Sequence, residues 1–218
     1  MPTVVIAPSN VAAFPEGGGH FWVYLQYVLG LRQLGCEVYW LEAFRSKRRM
    51  EWEAAALTTF RARMQQHGLD GKAILYVTQS KEPSPDAPKE YLDMTRAEAE
   101  AIFQRADLLL NFHYATSPGL LAQFRRTAMI DIDPGLLQFW INRRQLSVPP
   151  HDFYFTTGEN VGKPGSAIPD CGLDWIHIRP AVSLEGWPYR FDPHGEAFTT
   201  ISSWDSSSLS WNLRSCRG

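Results

Sequence analysis

Short apolar runs alternate with longer helix-like segments along most of the chain. The β-branched run at residues 4–7 precedes three consecutive glycines, and residues 21–34 are apolar almost all the way round, as in a helix inside a layered fold. Gly35 follows at the place of a helix C-cap glycine, and residues 38–41 form the next apolar run. This order predicts one βαβ unit with a right-handed crossover.

The same alternation continues as far as residue 156, and a capping box of Thr95 and Glu98 marks one of the helix starts. Further strands are predicted at residues 73–77, 107–111, 129–132 and 153–156, and further helices at 50–66, 95–105 and 119–126. Strands that alternate with helices predict an α/β fold, with a doubly wound, mostly parallel Rossmann-like sheet and helices on both faces.

The amino-acid composition changes after Gly158, where glycine, proline and aspartate become frequent. Residues 175–179 alternate like an edge strand, and residues 198–202 resemble the first strand of a further unit. Three prolines place residues 80–89 in a surface loop. We therefore expect one Rossmann-like domain over residues 1–195 and the start of a missing or altered domain over residues 196–218.

Composition narrows the class of protein without identifying it. The chain is 44% hydrophobic and 20% charged, with a net charge of −2, so it has no basic footprint for nucleic acid. The three cysteines show no CxxC spacing, which indicates neither a disulfide framework nor a zinc module, and we expect no metal. The start of the sequence lacks the pattern of a signal peptide, and no apolar run reaches spanning length, so we expect a cytoplasmic protein.

Polar residues follow the predicted strands at their carboxyl ends, where open parallel sheets bind ligands. The candidates are Gly17, Gly18, Gly19 and His20 after the first strand, Asn111 and His113 after the fourth, Asp131 and Asp133 after the fifth, and Glu159 and Asn160 after the sixth.

The glycine loop feeds a helix N-terminus, whose free N–H groups and dipole suit an anion. A dinucleotide fingerprint would need a third spaced glycine, but Trp22 stands at that position. Glu42 lies at a distance compatible with a ribose-binding acid. A tight turn without any ligand remains an open alternative.

His20 has the chemistry of a general base near neutral pH, and Asp131 or Asp133 could orient its ring. The period-two spacing of the two aspartates places them on one face of a strand, as in a metal site or an acid–base pair. Residues 133–135 (Asp-Pro-Gly) also fit a simple turn, and His113 also fits a purely structural role.

Three segments resemble GT-B glycosyltransferases of bacteria. "GGGHFWVYLQYVLGLRQLGCEVYWL" resembles their opening strand, glycine loop, helix and second strand; "WIHIRPAVSLEGWP" is similar to the end of their amino-terminal domain, and "FTTISSW" to the first strand of the second. The resemblance implies two Rossmann-like domains, with the acceptor held by the first and a nucleotide-sugar donor by the second. No separate cofactor is implied, and this chain would be mainly the acceptor side, weakly active or inactive alone.

By the same resemblance, Gly17, Gly18 and Gly19 approach the donor phosphates and the acceptor. In inverting members a histidine in the place of His20 deprotonates the acceptor hydroxyl, with Asp131 or Asp133 in support; in a retaining enzyme it would contact substrate only. The remaining candidates (Asn111, His113, Glu159 and Asn160) would contact substrate.

Two other functions remain open from the sequence. One is a self-contained nucleotide- or dinucleotide-dependent enzyme, and the other is a non-catalytic module that recognises a sugar. The expected acceptor is a sugar, a lipid or a natural product. The basic run at residues 45–49 also permits peripheral contact with anionic lipid.

Overall fold

One eight-stranded sheet organises the part of the chain that the computed structural model describes, residues 1–46, 50–78 and 90–197. Contacts divide the chain into a compact unit of Met1–Trp187 and a second unit that begins at Pro188. The elements are β1 (Thr3–Ala7), α1 (Gly18–Gln33), β2 (Glu37–Arg45), α2 (Met50–Gln66), β3 (Ala73–Thr78), β4 (Glu90–Leu92), α3 (Arg96–Arg105), β5 (Leu108–Asn111), α4 (Pro118–Leu121), β6 (Thr127–Asp131), α5 (Leu136–Asn142), β7 (Phe153–Thr156) and β8 (Trp175–His177).

The strand order confirms the predicted doubly wound fold. The order is β4-β3-β2-β1-β5-β6-β7-β8, and every neighbouring pair is parallel except β3 with β4. Val4 of β1 pairs with Val38 on one side and with Leu108 on the other. The chain therefore reverses its direction of travel across the sheet at β1, and the carboxyl ends of β1 and β5 flank the crevice that such a switch point leaves.

Helices cover both faces of the sheet, because alternate residues of each strand point to opposite sides. On one side, Ile6 packs in a cluster with Phe21 of α1 and Phe60 of α2. On the other side, Val5 packs in a second cluster with Phe103 of α3. The sheet is thus the middle layer of three.

Two helix ends lie where local sequence predicted them. Gly35 has a φ of +79° and follows the C-cap of α1, so it terminates the helix in the left-handed region that glycine tolerates. At the start of α3, the Thr95 hydroxyl accepts the Glu98 N–H and the Glu98 carboxylate accepts the Thr95 N–H, which completes the capping box.

Short elements were predicted less well. The helix expected at residues 119–126 is a single turn, Pro118–Leu121. Neither β4 nor α5 was predicted, since three and seven residues are too few to show a period. The expected loop at residues 80–89, the strand at 198–202 and most of the basic run at 45–49 lie outside the described residues.

The segment after β8 returns to α1. We call residues 180–187 the strap. The Ser183 N–H donates to the Gln26 side chain at 2.6 Å, and the Ser183 hydroxyl accepts from Gln33 at 3.3 Å. The Trp187 ring contacts the Trp22 ring at a centroid distance of 5.4 Å. The strap therefore covers one side of α1.

No helix in the described ranges has the length and apolar character needed to cross a membrane.

Candidate functional site

The bare start of α1 is the first feature at the carboxyl edge of the sheet. Gly18 and Gly19 form its first turn, and no atom lies within 4 Å of the place where a Cβ would stand on either. A Cβ on Gly17 would instead overlap the Phe14 ring. One glycine therefore makes room for a neighbour, while the other two leave the helix end open to whatever approaches it.

Two backbone donors at this helix end are unused. The Gly17 N–H donates to Phe14 O, and the Gly18 N–H donates to Glu16 O. The N–H groups of Gly19 and His20 have no acceptor among the described residues. Free N–H groups at the positive end of a helix dipole suit an anionic or strongly polar oxygen.

The imidazole of His20 is held in one orientation. Its Nε2 lies 2.7 Å from the Ser9 carbonyl oxygen, and its ring makes edge contacts with Phe14 and Tyr24. A carbonyl can only accept, so Nε2 carries the proton and Nδ1 of the neutral ring keeps a lone pair. Nδ1 has no partner in the described ranges, so this nitrogen is the one that can accept a proton from a hydroxyl.

Asp131 is a structural residue rather than a partner of His20. It is fully buried and accepts hydrogen bonds from the Gln138 amide at 2.8 Å, the Thr156 hydroxyl at 2.9 Å and the Asp133 N–H at 3.1 Å. Burial raises the pKa of its carboxyl, and the three donors partly offset this. Its oxygens are thus occupied in joining β6, β7 and α5.

The expectation that Asp131 and Asp133 share one face of a strand is wrong, because β6 ends at Asp131. Asp133 lies in the following turn, exposed to solvent. Neither carboxylate is hydrogen-bonded to His20 within the described part of the chain, and the Ser9 carbonyl occupies the orienting position expected for them.

Asn111 fixes the loop after β5. Its side-chain amide donates to His113 O at 3.1 Å and to His151 Nε2 at 3.0 Å, and its oxygen accepts from the His113 N–H and the Thr116 hydroxyl. With every polar group engaged in a fully buried position, Asn111 has little capacity left for substrate. His113 is half-buried, and burial, with a smaller contribution from Arg45, lowers its pKa.

Glu159 and Asn160 lie in solvent after β7. Glu159 forms an ion pair with Arg179 at 2.8 Å, and both side chains are largely exposed. The Asn160 carbonyl accepts from the Lys163 N–H. No hydrogen bond or ion pair of the described residues joins either residue to His20.

Glu42 is the residue whose role the sequence did not predict. It is 2% exposed, and its carboxylate accepts the Ala12 N–H at 2.8 Å and the Trp40 indole N–H at 3.0 Å. Burial raises its pKa to about 7. The carboxylate thus holds the loop that carries Ser9, and it is not free to bind a ribose.

Two cavities flank this loop. A cavity of about 30 Å³ at the switch point is lined by Glu42, Tyr76 and His113, among others, and has room for little more than a water molecule. A larger cavity of about 480 Å³ begins at Gly19 and extends along α1 under the strap. Only the larger one can hold an organic ligand.

Comparison of the chain with family models found no match, and its comparison with curated proteins and with solved structures found no significant one. No group of three or more His, Cys, Asp or Glu side chains that could hold a metal occurs in the described ranges. The function is therefore inferred from the site's geometry and from the sequence resemblance.

We expect Asp131→Asn to lower the free energy of unfolding by about 1–3 kcal/mol. Both carboxylate oxygens accept hydrogen bonds, so the new amide NH₂ would face a group that also donates, and that hydrogen bond would be lost. Gln138 cannot simply flip, since its oxygen accepts the Gly135 N–H. The exposed Asp133→Asn is the control and should change stability by less than about 0.5 kcal/mol. Urea denaturation measures both, and an Asp131→Asn protein as stable as the control would contradict the structural role.

The buried Glu42 should make stability depend on pH. Its folded pKa of about 7 exceeds the ordinary 4.5, so the folded state binds the proton more tightly. The stabilisation that this tighter proton binding gives the folded state is fully present below pH 4.5 and is lost as the pH rises to about 7. Relative to Glu42→Gln, the wild type should lose roughly 1–3 kcal/mol between pH 5 and pH 8.

Urea denaturation at several pH values gives this difference directly. The exposed Glu16→Gln serves as the control, and its difference from wild type should stay flat over the same range. A flat difference for Glu42→Gln as well would show that Glu42 does not titrate there.

Proposed function

We propose that this chain is the acceptor-side domain of a glycosyltransferase, which transfers a sugar from a nucleotide-sugar donor to a hydroxyl of a sugar, lipid or natural-product acceptor. The observation that carries the proposal is the imidazole of His20, held by Ser9 through Nε2 with its Nδ1 lone pair available. The resemblance to bacterial GT-B enzymes supplies the reaction class. A bacterial cytoplasmic location, with peripheral membrane contact where the acceptor is a lipid, belongs to the same proposal.

In the proposed reaction, the acceptor hydroxyl gives its proton to Nδ1 of His20. The acceptor oxygen attacks the anomeric carbon, and the bond from that carbon to the nucleoside diphosphate breaks, so the diphosphate leaves with the electron pair. The Ser9 carbonyl accepts the Nε2 hydrogen and so leaves Nδ1 as the nitrogen that takes the proton. This arrangement requires no aspartate beside the histidine.

The open helix end suits the same reaction. The free N–H groups of Gly19 and His20 face the space left by the bare glycines, where a phosphate or sugar oxygen can approach them. The position next to the switch point also agrees with where doubly wound sheets bind ligands. A dinucleotide enzyme is less well supported, because Glu42 is buried and hydrogen-bonded within the fold.

We expect His20→Gln to lower turnover by about 10²–10⁴-fold, because glutamine cannot take the acceptor's proton. The glutamine amide can still donate to the Ser9 carbonyl, so acceptor affinity should change by less than about threefold. Transfer is measured by mass spectrometry with UDP-, GDP- and dTDP-sugars and a mixed set of sugar, lipid and phenolic acceptors. Equal residual turnover by both proteins would contradict the role of His20. Because this chain would be mainly the acceptor side, transfer by the wild type should be weak, and robust turnover by the chain alone would contradict its assignment as an acceptor-side domain.

The bare helix end allows a second, matched test by Gly18→Ala and Gly30→Ala. Both glycines lie in α1 with open space beside them, so each change should raise stability, by up to about 1 kcal/mol. Only Gly18→Ala places a methyl group beside the free N–H donors, and it should weaken UDP-glucose binding at least fivefold by calorimetry. Equal affinities in the two variants would show that phosphates do not approach this helix end.

A further inference from the structure

The cavity under the strap has the dimensions of a small-molecule site. Its volume of about 480 Å³ lies within the range of about 300–1,000 Å³ that such sites occupy. The walls are mostly apolar and in part aromatic. They include Trp22 and Tyr27 from α1, Trp187 and Val182 from the strap, and Ile132 from the loop after β6.

Every side chain that lines this cavity is uncharged. An ion that entered it would lose its water without gaining a counter-charge, which is strongly unfavourable. The cavity therefore selects a neutral molecule.

Two hydrogen-bond donors in the cavity wall lack acceptors. Gln26 is 9% exposed; its side-chain oxygen accepts the Ser183 N–H, while its Nε2 group has no acceptor among the described residues. The Tyr27 hydroxyl is shielded from solvent and also has no hydrogen-bond partner there. The Ala181 backbone lies near enough to oppose the rise that burial causes in the Tyr27 pKa, but it forms no hydrogen bond of normal geometry.

Of the two donors only the Tyr27 hydroxyl is fully shielded, so a ligand oxygen in the cavity cannot reach it, whereas the Gln26 amide is open to the cavity. The free Gln26 group is a donor, so the complementary atom is an acceptor such as a carbonyl or ether oxygen. The Trp22 and Trp187 rings meet edge to face at 75°, and aromatic walls of this kind favour a flat ring over a flexible chain.

We propose that this cavity binds a neutral, flat aromatic molecule with a carbonyl or ether oxygen directed at the Gln26 amide. The binding needs neither a sugar donor nor a general base, so it stands apart from the proposed transferase reaction.

The test uses the full chain and a matched pair of probes, 9-fluorenone and fluorene, which share a ring system and differ in the carbonyl. Binding is followed by tryptophan fluorescence, which Trp22 and Trp187 should report, and by calorimetry. We expect fluorenone to bind at least fivefold more tightly than fluorene. Equal binding of the two probes, no binding of fluorenone up to its solubility limit, or tighter binding of the aliphatic 1-decanol would overturn the proposal.

Substitutions of residues in the strap and in α1 test whether the probe binds in this cavity. Val182→Trp should fill the cavity and weaken fluorenone binding at least tenfold, whereas Leu184→Trp, on the same segment but not lining the cavity, should leave it unchanged. Gln26→Glu keeps the oxygen that accepts the Ser183 N–H and removes the amide donor, so at pH 8 the preference for fluorenone over fluorene should be lost. Tyr27→Phe removes a shielded hydroxyl and should leave that preference unchanged. Unchanged binding in Val182→Trp, or an unchanged preference in Gln26→Glu, would refute the proposed site.

Discussion

The buried carboxylate of Glu42 is the interaction on which the geometry at the edge of the sheet depends. It accepts hydrogen bonds from the backbone of Ala12 and the indole of Trp40, and so it ties the loop after β1 to β2. That loop carries Ser9, whose carbonyl fixes both the orientation and the tautomer of His20. The hydrogen bonds of Glu42 to this loop therefore help to determine which nitrogen of the half-buried imidazole keeps a free lone pair.

The polar residues at the carboxyl edge fall into two groups, according to whether the fold already uses their hydrogen-bonding capacity. Asn111 and Asp131 are fully buried, and each oxygen or amide group is paired with a neighbouring loop or strand. His20 and the first N–H groups of α1 instead keep an unused lone pair and unused donors. A new hydrogen bond or proton transfer at this edge is open only to the second of these two groups, because a saturated buried group cannot change partners without losing a hydrogen bond.

Local pattern was sufficient for most of the fold. The spacing of apolar residues, the Gly35 C-cap and the Thr95 capping box each depend on residues that are close together in the chain. The strands and helices can therefore be predicted from these features of the sequence. The partners that decide the site are remote: Thr156 lies 25 residues from Asp131, and His151 lies 40 residues from Asn111. The acceptor for the His20 ring is a backbone carbonyl, which every residue has. The sequence could therefore place candidates at the carboxyl edge of the sheet, but it could not show which of them already form hydrogen bonds within the fold.

Helix α1 joins these observations, because several of its residues depart from what stability alone would favour. Glycine in the first turn weakens the helix, and the shielded, unpaired Tyr27 hydroxyl lowers the stability of the packed state. Gly19 belongs both to the bare helix end and to the wall of the larger cavity. Departures from local rules tend to gather where a protein binds or reacts. Their concentration along one side of a single helix, while the rest of the sheet is conventionally packed, favours ligand contact along α1 over a purely structural role.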